Sequence, residues 1–139
     1  MGADEGKERT VAAGGSGEIA QELWRRIGAA DWSGARELMH DDYVQEWPQS
    51  GERIVGPDDA LAVDRNFPGG MPEMRFRRAT ASGELEVLET ELRYSDGSVY
   101  HGVSIVEIRD ETVLKQTDYF AQPFDPPQWR AQWVQRISR

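Results

Sequence analysis

Alternation of hydrophobic and polar residues from Met74 to Phe124 is the strongest pattern in the chain. Three short turn-like segments, at 81–84, 96–97 and 109–112, divide it into four runs. The middle segment is Asp-Gly, which is typical of β-hairpins between alternating runs because both residues tolerate positive φ. The pattern therefore predicts a four-stranded antiparallel meander.

Helical periodicity precedes this meander. Ile19, Leu23 and Ile27 recur every four residues and predict a first helix, with Ser16 or Gly17 as its cap. Gly28 is predicted to end it. Further elements are then predicted at residues 32–39 (a helix capped by Asp31), 41–48 (an extended run) and 57–67 (a third helix).

After the meander, Asp125-Pro126-Pro127 predicts a helix start, since a capping carboxylate is followed by prolines that fit only the first turn. Trp129, Trp133 and Ile137 then repeat every four residues, which predicts a last helix that lays two indoles on an apolar surface. The whole order is typical of an α+β fold with helices covering one face of an antiparallel sheet. Residues 1–15 are polar and glycine-rich and are predicted to be a flexible tail, so that residues 16–139 form one domain.

Composition argues against several classes of function. A net charge of −9 without a basic run disfavours nucleic acid and anionic membrane surfaces as partners. The 139 residues include no cysteine and only two histidines, so thiol chemistry, disulfides and a His-rich zinc site are not expected. No motif for a metal or an organic cofactor occurs. Without an apolar leader or a long apolar run, a cytoplasmic location is expected.

Asp118, on the predicted last strand, is the best candidate for chemistry. By period two it shares a face with Leu114, Gln116 and Phe120. A carboxylate beside apolar side chains in a closed pocket is desolvated and becomes a base useful near neutral pH. The alternative is a structural carboxylate at the pocket mouth, or one paired with Arg93.

Aromatic residues of other elements are predicted to line the same pocket. Tyr43 and Trp47 are suited to stack on a flat ligand and orient it, or else to pack in the core. Tyr43 or Tyr100 is also the catalytic candidate to polarise a carbonyl of the ligand. Trp24 on the first helix is more typical of a core residue and is a further binding candidate.

The third strand of the meander carries two different faces. By period two Tyr100, Gly102 and Ser104 share one face, on which Tyr100 is a candidate hydrogen-bond donor and Gly102 leaves room for a ligand. The opposite face includes Val103 and Ile105. It is more apolar than a solvent-exposed face usually is, which favours a dimer interface.

Residues 32–43, 46–48, 102–108, 117–120 and 126–134 carry a family resemblance. In their residues and in their order along the chain, these segments resemble the NTF2-like fold, and more closely the SnoaL-like group of small bacterial proteins. The resemblance implies a cone, in which a curved antiparallel sheet wraps around an N-terminal helix and a C-terminal helix follows. It also implies that Tyr100, Gly102 and Ser104 lie on the inward face of the sheet. It also implies cofactor-independent cyclisation, isomerisation or hydration of a small hydrophobic molecule, polycyclic or aromatic, and a homodimer through the outer sheet face. A non-catalytic ligand-binding or dimerising module is the alternative.

Steroid isomerases of this fold use residues that this chain lacks. Their oxyanion-binding tyrosine corresponds to Leu23, their general base to Trp47 and their buried acid to Ser104. The resemblance therefore does not extend to steroid isomerisation.

Epoxide hydrolases of the fold use an Asp-Arg-Asp set, of which Asp118 matches the last member. Glu91 and Arg93 occupy the other two positions in reverse order, and Gln116 replaces a neighbouring tryptophan. This alignment turns the two charges inward, whereas burial alone would turn the leucines of that strand inward. In SnoaL-type cyclases one acidic residue acts in an apolar pocket, and Asp118 would take that part.

Overall fold

The computed structural model describes residues 18–137. The predicted tail at residues 1–15 and the helix cap at Ser16 or Gly17 lie outside this range. The helices are α1 (Glu18–Gly28), α2 (Trp32–Glu37), α3 (Pro57–Arg65) and a 3-10 helix (Gln128–Trp133). The strands are β1 (Met39–Trp47), β2 (Glu52–Val55), β3 (Glu73–Ser82), β4 (Leu85–Arg93), β5 (Val99–Arg109) and β6 (Thr112–Ala121).

The strands form one sheet in the order β2-β1-β6-β5-β4-β3. Strands β3 to β6 are the predicted antiparallel meander, and its three turns lie where the pattern placed them. Strand β1 joins the meander parallel to β6, with Gln45 opposite Gln116 and Glu46 opposite Thr117. Parallel pairing brings the carboxyl ends of these two strands to the same end of the sheet.

Helix α1 covers the inner face of the sheet and contacts β3, β4 and β6. Its apolar stripe buries Ala20, Leu23 and Ile27, and it ends at Gly28 as predicted. Burial of such a stripe stabilises a short helix that would be marginal in water on its own. The other core residues come from the remaining helices and the sheet: Ala35, Met39, Tyr43, Ala60, Leu61, Leu88, Val106 and Val113.

The first turn of α1 is held by a carboxylate from the sheet. Glu86 is buried, and its Oε1 accepts a hydrogen bond of 2.9 Å from the backbone N–H of Ala20. The first N–H groups of a helix lack partners within the helix, so Glu86 acts as a cap from a distant strand. Burial raises the pKa of Glu86, against the lowering effect of its hydrogen bonds to the backbone of Ala20 and Ile19.

We expect Glu86→Ala to lower the free energy of unfolding by about 1–3 kcal/mol, because a buried N–H loses its acceptor. Glu86→Gln keeps an acceptor without the buried charge and is expected to stay within about 1 kcal/mol of the parent. Urea unfolding at neutral pH measures both, with Glu84→Ala on the exposed neighbouring turn as the control. An alanine variant as stable as the control would show that Glu86 is not a cap.

Helix α2 is shorter than the predicted 32–39. Asp31 caps it as predicted, accepting a hydrogen bond from the N–H of Gly34. Met39, expected in the helix, instead begins β1, where it is buried and paired with Val113. A long-range strand pair therefore overrides the local helical pattern.

Strand β6 departs from strict alternation near its start. The pairing with β5 shifts where Ile108 lies opposite Val113 but Glu107 lies opposite Lys115, so Leu114 is an extra residue. This bulge lets Val113 and Gln116, which are three apart, both be fully buried. From Gln116 onward the predicted face holds, and Asp118 follows on it.

The chain after β6 differs most from the prediction. The helix expected from its four-residue repeat is a 3-10 helix of six residues, and Ile137 lies beyond it. Trp129 and Trp133 are each 72% exposed, so the expected packing of both indoles is wrong for the single chain. Periodicity predicts which residues share a face, but here no apolar surface of residues 18–137 covers that face.

Candidate active site

A cavity of about 710 Å³ lies between α1, the end of α3 and the sheet. Its wall is mostly apolar and aromatic, as is usual for sites that bind small molecules. The apolar and aromatic residues are Trp24, Trp47, Val63, Phe67, Pro68, Met71, Pro72, Met74, Leu92, Tyr94, Tyr100 and Phe120. The polar residues are Gln45, Gln49, Ser50, Asp64, Asn66, Thr90, Ser104 and Asp118.

Asp118 lies at the wall of this cavity with 2% of its surface exposed. Its Oδ1 accepts hydrogen bonds from Ser104 Oγ at 2.6 Å and from Gln116 Nε2 at 2.8 Å. Its Oδ2 accepts from Gln45 Nε2 at 2.7 Å and from Trp47 Nε1 at 3.0 Å. Four donors occupy the roughly four acceptor positions of a carboxylate. No cation is needed to hold this buried charge.

Two further donors fix the orientation of the glutamines. Tyr43 donates its hydroxyl hydrogen to Gln45 Oε1 at 2.9 Å, and Trp24 Nε1 donates to Gln116 Oε1 at 3.2 Å. Because each amide oxygen is already engaged, each amide N–H group must point to Asp118. The network therefore extends from the carboxylate through two glutamines to two aromatic side chains.

Tyr43 and Gln116 are placed behind the cavity wall rather than in it. Both are fully buried, and neither is among the residues that line the cavity. Burial raises the pKa of Tyr43 well above its usual value, and the charges of Asp118 and Asp64 raise it further. The Tyr43 hydroxyl is thus held neutral as a donor to Gln45, so it orients Asp118 indirectly.

Tyr100 and Phe120 do line the cavity, as expected. The ring of Tyr100 meets Tyr94 edge to face, with 5.3 Å between ring centres. Phe120 is at the mouth of the cavity, where Gln49 forms hydrogen bonds with both of its backbone groups. Gln49 Nε2 donates to the Phe120 carbonyl at 2.7 Å, and Gln49 Oε1 accepts from the Phe120 N–H. The β1–β2 turn is thereby tied to the end of β6.

The expectation that Gly102 leaves room for a ligand is wrong. Protein side chains fill the space beside it. A Cβ built on Gly102 would lie 2.6 Å from Thr90 Oγ1 and 3.5 Å from Leu92 Cδ1. Thr90 Oγ1 in turn donates to the Gly102 carbonyl at 3.3 Å. The glycine lets β4 side chains fill this part of the wall.

Asp64 is a titratable residue of this site that sequence reasoning missed, as it also missed the donor Gln45. Asp64 lies on the cavity side of its helix. It is half-buried on α3 and lines the same cavity as Asp118. Burial, and secondarily the charge of Asp118, raises its pKa to about 7. A signal existed, because Asp64 follows the buried residues Ala60 and Leu61 by four and three positions and so shares their face of the helix.

The model of the SnoaL-like domain matches residues 20–115, more than half of the chain. The chain belongs to the SnoaL-like family. Among solved structures, an NTF2-like protein of unknown function from Burkholderia xenovorans LB400 is 36% identical, with a TM-score of 0.75, over 87% of this chain and 94% of that one. No curated protein matches.

Two further structures are similar to this SnoaL-like chain. A candidate ketosteroid isomerase from Kribbella flavida DSM 17836 is 26% identical, with a TM-score of 0.81, over 88% of this chain and 89% of that one. An LEH-like epoxide hydrolase from M. tuberculosis is 20% identical, with a TM-score of 0.64, over 74% and 80%. The NTF2-like α+β fold is thus confirmed, and the hydrolase likeness concerns the fold alone.

Glu91 and Arg93, which the comparison with epoxide hydrolases placed inside the cavity, lie on the outer face of the sheet in this SnoaL-like domain. Leu88 and Leu92 of β4 face the interior, while Glu91 and Arg93 lie on the opposite face. Glu91 is 3.8 Å from the guanidinium of Arg75. The expectation that these two residues line the cavity is corrected, because burial of the leucines determines which face of β4 points inward.

Residues 18–137 contain no cluster of three or more His, Asp or Glu side chains that could hold a metal ion. Within the same part of the chain, no helix is long and apolar enough to cross a membrane.

Proposed function

We propose that this SnoaL-like protein is a cofactor-independent enzyme that isomerises, cyclises or hydrates a small hydrophobic molecule, with Asp118 as acid/base. One observation carries the proposal: a buried carboxylate, held only by neutral donors, lies at the wall of a large apolar cavity. A carboxylate in such surroundings is suited to take a proton from, or stabilise positive charge on, a bound molecule.

The wall favours a neutral, ring-containing ligand. The described residues that line the cavity include two carboxylates, Asp64 and Asp118, and no Lys, Arg or His. An anionic ligand would be repelled by the charge of Asp118, whereas apolar rings gain from contact with Trp24, Trp47 and Tyr100. The volume of about 710 Å³ suits a molecule of two or three fused rings.

Ser104 gives a ligand access to the carboxylate. Trp47 and the two glutamines hold Asp118 through rigid or pre-oriented groups, but the Ser104 hydroxyl can rotate about its C–O bond. Ser104 also lines the cavity. When its hydrogen turns away, one lone pair of Asp118 Oδ1 is free to accept a proton from a bound molecule.

Turnover of a cyclic β,γ-unsaturated ketone tests this function. Migration of the double bond into conjugation requires removal and return of one proton and is followed by ultraviolet absorbance. We expect turnover that depends on Asp118, with Asp42→Asn on the exposed face of β1 as the unaffected control. Binding without turnover of this ketone, of an epoxide and of a cyclisable polyketide analogue would favour the non-catalytic ligand-binding alternative instead.

We also propose a homodimer through the outer face of the sheet. Three large apolar residues on neighbouring strands, Val103, Ile105 and Tyr119, are about 40% exposed. This face is therefore more apolar than a typical solvent-exposed surface. Sedimentation equilibrium is expected to show a dimer, and Val103→Lys with Ile105→Lys is expected to give a monomer. A parent chain that is monomeric at micromolar concentration would refute the dimer and favour a single-chain enzyme.

A further inference from the structure

We propose that Asp64 is the general acid of the cavity and that it carries the proton which Asp118 does not. This inference rests on the proposed function and adds a second catalytic residue, on a helix rather than on the sheet. It also narrows the substrate class to hydrophobic molecules with a neutral oxygen acceptor, such as a ketone or an epoxide.

The two carboxylates of the cavity are held in opposite ways. Asp118 accepts four hydrogen bonds from the protein. The side-chain carboxylate of Asp64 has no hydrogen bond and no ion pair with any residue in the range 18–137, although it is half-buried in the cavity wall. A carboxylate surrounded by donors is suited to be the anion of a pair, and one without donors is suited to hold the proton.

The charged groups around α3 do not offset this arrangement. From the sheet, Asp64 experiences the charge of Asp118, and the neutral hydroxyl of Tyr43 is near both. The cation of α2, Arg36, is bound to Asp41 at 2.7 Å and lies 3.9 Å from Asp58, at the other end of α3.

On the β2 side, Arg53 is bound to Glu46 at 2.6 Å, and Glu52 is exposed. Arg65, next to Asp64 in the chain, lies with its guanidinium 5.4 Å from the centre of the Trp32 ring. Among the described residues, no cation is therefore within ion-pair distance of Asp64, and burial beside a second anion favours its protonated form.

The proposed step conserves protons. Asp118 takes a proton from a carbon next to the substrate carbonyl, and the electrons of that C–H bond shift toward the carbonyl oxygen, which takes the proton of Asp64. Once the enol has formed, Asp118 is protonated and Asp64 is ionised. Delivery of the Asp118 proton to a different carbon, with return of the enol proton to Asp64, completes an isomerisation with no net change in either residue.

Calorimetric binding of a bicyclic aromatic ketone (α-tetralone) between about pH 5 and pH 9 tests the inference without relying on turnover. In the full chain, affinity is expected to be constant below pH 7 and to fall by up to about tenfold per pH unit above it, because only the protonated acid donates to the ketone. Asp64→Asn still donates but cannot ionise, so its affinity is expected to be independent of pH. Asp64→Leu is expected to bind weakly throughout.

Asp59→Asn, on the exposed side of the same helix, is the matched control and should retain the parental pH profile. Equal pH profiles for the parent and Asp64→Asn would overturn the role of Asp64 while leaving the cavity as a binding site. Failure of the parent chain to bind the ketone at any pH would overturn the proposed function and this inference with it. Loss of ketone turnover in Asp64→Asn with retained binding would further support proton donation.

Discussion

Asp118→Asn is expected to abolish turnover and also to destabilise the fold. The asparagine side chain offers one acceptor oxygen and one NH₂ group to a site where four donors converge. Trp47 cannot accept a hydrogen bond, and neither glutamine can turn without losing its own bond to Tyr43 or Trp24. At least one buried donor is left without a partner, which costs about 1–3 kcal/mol.

Urea unfolding measures that cost, and ketone turnover and binding are then compared under conditions where the variant is folded. We expect a loss of turnover of at least about 100-fold, the usual contribution of a positioned acid or base, with binding retained within about tenfold. Ser104→Ala is an informative companion, because it removes one donor from Oδ1 but leaves the carboxylate. A folded Asp118→Asn variant with full activity would exclude Asp118 from the chemistry.

Asp64 is expected to contribute a loss of stability as the pH rises from about 4 to about 7. Its pKa is 3.8 in the ordinary case and about 7 in the folded protein, so between these values the folded state binds more protons than the unfolded state. Stability therefore decreases with pH across this window and reaches its lower level above pH 7. A rise in pKa from 3.8 to about 7 would correspond to about 4 kcal/mol for a fully buried group, but for the half-buried Asp64 we expect about 1–3 kcal/mol.

The difference between the parent and Asp64→Asn isolates this contribution. The variant is expected to match the parent within about 1 kcal/mol near pH 4 and to be more stable by about 1–3 kcal/mol near pH 8. Glu22, Asp41 and Glu46, whose pKa values are lowered mainly by hydrogen bonds to arginines, lose their contributions only as the pH falls through those lowered values.

Chemical unfolding at several pH values, with Asp59→Asn as the control, gives the comparison. An Asp64→Asn variant less stable than the parent at pH 8 would contradict the assigned protonation of Asp64.

Local pattern predicted the parts of the fold that depend on neighbours in sequence. Alternation predicted all four strands of the meander, and the stripe of Leu23 and Ile27 predicted α1. The same alternation placed Asp118 on one face with Gln116, and Tyr100 on one face with Ser104. The structure turns both faces inward. These predictions succeeded because the side-chain directions of strands and helices follow from backbone geometry alone.

Predictions that needed a partner at long range were less successful. The repeat of Trp129 and Trp133 has the spacing of a helix, but within residues 18–137 no apolar surface covers it, and both indoles are exposed. Glu91 and Arg93 were turned inward by alignment with relatives, although the leucines of their own strand gain more from burial.

The sequence by itself determined the meander, the first helix and the face that Asp118 shares with Gln116 and Phe120, because each depends on a period of two or of 3.6 residues. Only the tertiary structure decided the chemistry around that carboxylate. The parallel pairing of β1 with β6 brings Gln45 to Asp118 from 73 positions away, and the packing of α3 brings Asp64 to the same cavity. Hydrogen bonding and desolvation act through space, and no periodicity along the chain encodes them.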